Sequence, residues 1–323
     1  MTITAYITVD ASGIPRLHAA PPSTEHAECS LKYLNEGGAN FVFRLLPHEG
    51  ELPLVARRRL LRVRKDLPDA QSTKAAKQAF ETNFRPLFPA EHLVQQELVE
   101  VDETLLNALQ ESLASTKRPG HRQQDVLATS EPHGLLITDM TPGADDVLLQ
   151  AKPKWLSQSP SAPENARRCR TCALRAQRGA KGIRTATDKQ ATCPLKLVSD
   201  RLEDRRQAAE SITKDSVLQE YLSKDALSLL QTLRRHQSNR DPKGVLAASG
   251  DDEVKELCKA MTLRDCTLFL RRTGDHVEAR IADLDTKGLE KIGTWKKGEQ
   301  SLVDGGWYGE KGDVDEDVCL LAF

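Results

Sequence analysis

The tightest constraint on folding lies near the C-terminal end, where Asp265-Cys266-Thr267-Leu268-Phe269-Leu270-Arg271-Arg272 and Val277-Glu278-Ala279-Arg280-Ile281-Ala282-Asp283 flank Thr273-Gly274-Asp275-His276. Two strand-type runs about a Gly-Asp turn predict an antiparallel hairpin. Pairing about that turn sets the start of one arm opposite the end of the other. Asp265 and Asp283 are therefore expected as neighbours, with Cβ atoms about 5 Å apart. Like charges that close favour a cation, and magnesium fits because it takes carboxylate oxygens and leaves positions for phosphate oxygens and water. Either carboxylate also has the chemistry of a base for a hydroxyl. Two aspartates that merely end strands at a solvated edge give the same pattern, so the hairpin alone leaves both readings open.

A second turn, Glu36-Gly37-Gly38-Ala39-Asn40, sits between strand-type runs. It is not the strand-to-helix loop of a Walker site, and it suits a kinase glycine loop, whose backbone N–H groups approach phosphate oxygens closely. Arg62, on the next predicted strand (59–65), occupies the place of a phosphate-pairing cation. The opening to about Cys29, with Pro21-Pro22, reads as a loose leader. Residues 69–84 read as a helix, and 95–115 as a further helical stretch. Runs 134–140 and 147–152 read as buried strands about a tight link. Residues 154–196 read as loops with one short helix, and 197–235 and 254–261 as helices, with Leu218, Tyr221, Leu222, Leu229, Leu230 and Leu233 forming a core stripe.

Charge is balanced overall, 46 basic against 47 acidic side chains, so any electrostatic argument is local. From 152 to 196, eleven Lys and Arg face only Glu164 and Asp188. A densely phosphorylated ligand demands such a cluster, as does a nucleic acid. Nucleic acid is disfavoured because Trp155 is the segment's single aromatic, whereas single-strand binders need stacking platforms. No apolar run approaches a membrane span, and the start lacks the layout of a secretory signal, so an intracellular protein is expected. The seven cysteines fit a reduced thiol set. Cys169, Cys172 and Cys193 make an incomplete zinc set, which His121 or His133 would complete only through the fold. Buried free thiols, without zinc, are the expectation.

Taken in order, Glu36-Gly37-Gly38-Ala39-Asn40, Arg62-Val63-Arg64-Lys65, Lys152-Pro153-Lys154, Cys169-Arg170-Thr171-Cys172, Cys193-Pro194-Leu195, Met261-Thr262-Leu263-Arg264-Asp265-Cys266 and Asp283-Leu284-Asp285-Thr286-Lys287 resemble the inositol-pentakisphosphate 2-kinase family, nearest its compact fungal members. The resemblance spans roughly 33–295. It implies an α/β (α+β) chain with a two-lobe kinase-like fold: an antiparallel-sheet N-lobe over 1–137 and a larger mixed C-lobe over 138–323. It implies ATP and magnesium as cofactors, inositol pentakisphosphate as substrate, a monomer, and residence in the nucleus or cytoplasm.

Carried over residue by residue, the resemblance implies that Gly37, Gly38, Ala39 and Asn40 line the nucleotide phosphates and Arg62 pairs with them. Thr138, Asp139 and Met140 would border the adenine. Asp283 would hold magnesium, with Asp265 beside it near the attacking hydroxyl, and Lys152 would stand by the transferred phosphoryl. Arg122, Lys154, Arg178, Lys287, Lys291 and Trp295 would contact the substrate. Gln150 stands where the family usually has glutamate, Lys291 where some members have arginine, and Trp295 where some have tyrosine. A non-catalytic binder of inositol phosphates or RNA through the basic segment is the rival reading, and a zinc-stabilised interaction module is a third.

Overall fold

A computed structural model describes residues 2–68, 71–183, 192–309 and 319–321. The chain is mixed α/β and divides into two compact units, 1–82 with 94–139 and 83–93 with 140–323. No helix among the described residues is long and apolar enough to cross a membrane.

The first unit is a closed barrel of seven strands: β1 (Thr2–Val9), β2 (Pro15–His18), β3 (Ala27–Glu36), β4 (Asn40–Pro47), β5 (Arg59–Arg64), β6 (Gln96–Val101) and β7 (His133–Thr138). Their order round the barrel is β1-β2-β6-β7-β5-β4-β3. Period-2 alternation turns Ala5, Ile7, Leu31, Phe41, Phe43, Leu61, Val63 and Val99 inward to a common core. Helix α1 (Thr73–Asn83), all but its last residue, also belongs to this unit. Helix α2 (Glu103–Ala114) adds Leu105, Leu106, Leu109 and Leu113 to the core. Asp102 starts α2, its Oδ1 accepting from Leu105 N at 2.6 Å and its Oδ2 from Ala19 N at 2.8 Å.

Three expectations are corrected here. The opening is not a loose leader: β-branched alternation builds β1, and Asp10 Oδ1 accepts from Ser12 N and Ile14 N to turn the chain into β2. Residues 95–115 are not one helix but β6 followed by the Asp102-capped α2. The expected antiparallel sheet is a closed barrel in which β1 pairs with β3, and it is not wholly antiparallel, because β2 meets β6 in parallel.

The second unit has a three-stranded antiparallel sheet, β8 (Val147–Ala151), β9 (Thr267–Thr273) and β10 (His276–Ala282), in the order β10-β9-β8. Its helices are α3 (Arg170–Ala180), α4 (Leu202–Ile212), α5 (Ser216–Ser223), α6 (Leu227–Asn239), α7 (Asp251–Asp265) and α8 (Ile292–Asp304). Of the predicted stripe, Leu218, Leu222, Leu229, Leu230 and Leu233 are buried, while Tyr221 is half-buried. The basic segment is not one solvated face. Arg170 turns inward to Glu299 at 2.9 Å and lies over the Trp155 ring, and Arg168 is buried. Arg184, Asp188 and Lys189 fall outside the described residues.

Candidate functional site

The hairpin forms in the expected register, Thr273 opposite His276 and Thr267 opposite Ala282, with Gly274 supplying the positive φ of the tight turn. Ala151 of β8 pairs with Leu268, which pairs with Ile281. Lys152 and Asp283 stand one residue beyond the paired ends of β8 and β10, and Asp265, two residues before β9, comes to the same edge. Asp265 is the last residue of α7 rather than the first of the strand, so its carboxylate faces the negative pole of that helix.

Three ammonium groups offset that pole. Lys287 Nζ lies 2.7 Å from Asp265 Oδ2 and Lys154 Nζ 3.2 Å from Oδ1. Lys152 Nζ donates to the Asp265 carbonyl at 2.6 Å and stands 3.7 Å from a carboxylate oxygen of both Asp265 and Asp283. Partial burial works against ionisation of Asp265, but the hydrogen bond and charge of Lys287, with Lys154 and Lys152 behind it, hold its carboxyl at about 2. Asp283 accepts from the Thr267 hydroxyl and is largely exposed. Asp283 and Lys154 both carry left-handed backbone, φ 58° and 61°, which costs a residue with a Cβ about 1–2 kcal/mol. Such backbone concentrates at active sites and ligand clamps, and Arg58, outside this cluster, carries it too, with φ 54°. Lys287 is anchored through its own N–H to Thr262 Oγ1 at 3.0 Å.

The residues fit a magnesium ion in one testable respect: the gap between the two carboxylates already takes a positive group, the Lys152 ammonium. A hollow of about 450 Å³ lies at the other end of the hairpin, but Glu220, Asp225 and Asp275 line it and repel polyanions.

In the first unit the glycine turn links β3 to β4, and Gly37 N donates to the Asn40 carbonyl at 2.8 Å. A Cβ at Gly37 or Gly38 would meet nothing within 4 Å, and neither has positive φ, so packing and backbone strain do not demand glycine there. Their bareness suits close approach by a ligand. The turn is braced from beneath by residues that sequence reasoning missed as a group. Glu36, Lys65 and Arg118 are buried together, with Lys65 Nζ 2.5 Å from Glu36 and Arg118 Nε 2.8 Å from it. Burial raises the Glu36 carboxyl, but Arg118 and Lys65 outweigh it and hold it below its ordinary value. Lys65 N also donates to the Ala39 carbonyl at 2.8 Å.

Arg62 lies on β5 opposite Val42 and Leu135, out of phase with the inward Leu61 and Val63. Thr138 ends β7, its Oγ1 accepting from Gln95 N at 2.9 Å, and Asp139 N donates to the Arg58 carbonyl. Met140 is buried. Arg122 places its guanidinium on the Glu36 carbonyl at 2.9 Å, beside the glycine turn. Arg178 lies in the last turn of α3, and Lys291 is exposed just before α8. Trp295 packs with Met261 against Trp155, Val245, Ala248 and Leu257, which gives it a packing role in addition to any ligand contact.

An aspartate pair ringed by lysines, carried with a bare glycine turn on a barrel, is the equipment of a phosphotransferase that handles polyanions. A model of the inositol-pentakisphosphate 2-kinase family matches residues 33–222 and 213–301. The chain is also similar to the inositol-pentakisphosphate 2-kinase of Yarrowia lipolytica (strain CLIB 122 / E 150), 33% identical over 218 residues, covering 60% of this chain and 70% of that protein. The chain belongs to the inositol-pentakisphosphate 2-kinase family.

Proposed function

We propose that this chain transfers the γ-phosphoryl group of ATP to the 2-hydroxyl of inositol pentakisphosphate, giving inositol hexakisphosphate (phytate). The observation that carries this reading is the convergence of Lys152, Lys154 and Lys287 on Asp265, with Asp283 alongside. Five phosphates on a small ring bear about eight to ten negative charges, and three ammonium groups in one cluster compensate part of them.

A two-lobe kinase-like division of labour belongs to this proposal. The first unit would take the nucleotide, through Gly37, Gly38, Ala39, Asn40 and Arg62 at the phosphates and Thr138 and Asp139 at the adenine, with the next residue in the chain, Met140, also at the adenine. The second would take the acceptor, through Lys154, Arg178, Lys287, Lys291 and Trp295, with Arg122 contributing from the first. Asp283 and Asp265 would hold magnesium, which when bound neutralises phosphate charge. Lys152 would then turn from the carboxylates to the transferred phosphoryl. Asp265 accepts the hydroxyl proton. Its depressed pKa makes it a weak base while three lysines surround it, and substrate phosphates that draw those lysines away raise its basicity.

Coupled detection of ADP tests the reading. Magnesium-dependent ADP release that requires inositol pentakisphosphate supports it, and binding of the pentakisphosphate with no release would establish the binder instead.

A further inference from the structure

Lys154 reaches Asp265 from a backbone that has to be held. It lies outside any helix or strand, and its φ of 61° is one that side chains rarely adopt. The restraint comes from Gln237 on α6, whose side chain is fully buried in the second unit. Its Nε2 donates to the Lys154 carbonyl at 2.9 Å and to the Leu263 carbonyl at 3.1 Å, and its Oε1 accepts from Leu156 N at 3.0 Å. One carboxamide therefore clips the peptide groups on both sides of Trp155 and the last turn of α7. Both amide hydrogens and the amide oxygen are used, and only the orientation with nitrogen toward the two carbonyls satisfies all three partners.

A buried amide is costly unless every polar atom is paired, and α6 packs elsewhere through Leu229, Leu230 and Leu233. Burial alone does not call for glutamine at 237. What distinguishes the position is the pair of segments it joins. Lys154 and Asp265 meet through their side chains at 3.2 Å, and Gln237 ties the backbone of the first to the backbone two residues before the second. Two further contacts run from the same end of α6. Ser238 Oγ donates to Ser157 Oγ at 3.0 Å. Asp241, two residues past the helix, accepts from Arg264 Nη1 at 2.6 Å, and the Arg264 guanidinium lies over the Trp155 ring, 3.5 Å from its centroid. Lys152 and Asp283 arrive instead at the ends of β8 and β10.

We propose that Gln237 is a positioning residue for the acceptor: it holds Lys154 at the distance and angle from Asp265 at which the ammonium group meets a substrate phosphate. This role rests on Lys154 being a substrate contact, as proposed above. Gln237 acts through Lys154, and none of the groups it holds belongs to the first unit, so the nucleotide is not its concern.

Calorimetric titration of the full chain with inositol pentakisphosphate tests this. Gln237→Met keeps the length of the side chain and donates to neither carbonyl. It should bind the pentakisphosphate about tenfold more weakly, as for one misplaced charge-assisted hydrogen bond, with KM for ATP within about twofold of wild type. A double-variant cycle separates positioning from general damage. Added to Lys154→Ala, Gln237→Met should cost little more, because the group it positions is gone, whereas a merely structural role would make the two losses multiply. Should Gln237→Met fail to fold, Gln237→Glu takes its place. A buried acid is neutral, and its single O–H serves one carbonyl, so the bridge from Lys154 to Leu263 is broken whichever it takes. The loss is then about threefold, with the same dependence on Lys154. Unchanged binding in the variant that folds, or losses that multiply with Lys154→Ala, would overturn the proposal. Binding is read without turnover, so a chain that binds the pentakisphosphate and transfers nothing would defeat the proposed function and leave this role standing, while a wild type that does not bind it would overturn both.

Discussion

Lys65 and Glu36 form an ion pair with both side chains fully buried, directly beneath the glycine turn. Arg118 completes the pairing, and both cations lie over the Phe41 ring, at 4.9 and 5.0 Å. Removing one member of a buried pair costs about 3–5 kcal/mol; without Lys65, Glu36 keeps Arg118 at 2.8 Å, while Asp125 loses the ammonium group 2.5 Å away. Lys65→Met is therefore expected to lower unfolding free energy toward the lower end of that range, about 3 kcal/mol, in urea titrations, and adding Glu36→Gln, which takes the carboxylate from Arg118, to lower it further. A loss under about 1 kcal/mol, the size of an exposed pair, would contradict the bracing role.

The turn itself should behave oppositely. Since a methyl group at Gly37 or Gly38 meets open space, Gly37→Ala and Gly38→Ala should leave stability within about 1 kcal/mol of wild type. The KM for ATP should rise about tenfold, the equivalent of one lost charge-assisted hydrogen bond. Thermal melts and initial rates separate the two effects; an unchanged KM would remove the turn from the nucleotide site.

Asp265→Asn removes the proposed proton acceptor while leaving all three lysines in place. The expected result is a fall in kcat of about 10²–10⁴, with KM for the pentakisphosphate unchanged or lower. Asp283→Ala should abolish turnover. Wild-type kcat in either variant would refute the assignment.

Lys287 links substrate affinity to the state of Asp265. Its removal in Lys287→Ala should raise KM for the pentakisphosphate and move the Asp265 carboxyl up from about 2 toward its ordinary 3.8, read by side-chain carboxyl NMR titration. The sign for stability follows from the depressed value. The ion pairs stabilise the fold fully above about 4 and lose that contribution as pH falls through about 2, so the variant should show a shallower loss of thermal stability across this window. A wild-type Asp265 titrating at 3.8 would contradict the lysine cluster.

The hairpin was legible because its information is local: a Gly-Asp turn fixes the register, and period-2 strands carry Asp283 to the site edge. The barrel was not, because closure depends on partners far apart in the chain. β1 pairs with β3, and β2 meets β6 across more than eighty residues, at Arg16 and Glu100. The prolines at 21 and 22 masked strands whose alternation at Ala5 and Ile7 was already present, since both prolines lie beyond β2. Asp102 was a readable signal passed over: an N-cap placed between β6 and α2 divides 95–115 in two. The buried Lys65–Glu36 pair and the arrival of Cys319 beside Cys193 have no local signature, because each joins segments only the folded chain brings together.

The central claim is tested most directly by the product. Incubated with ATP, magnesium and the pentakisphosphate that lacks only its axial 2-phosphate, the protein should yield inositol hexakisphosphate, identified by phosphorus NMR through the new phosphate at the axial carbon. Unchanged pentakisphosphate, or a phosphate added elsewhere as a pyrophosphate, would contradict the account.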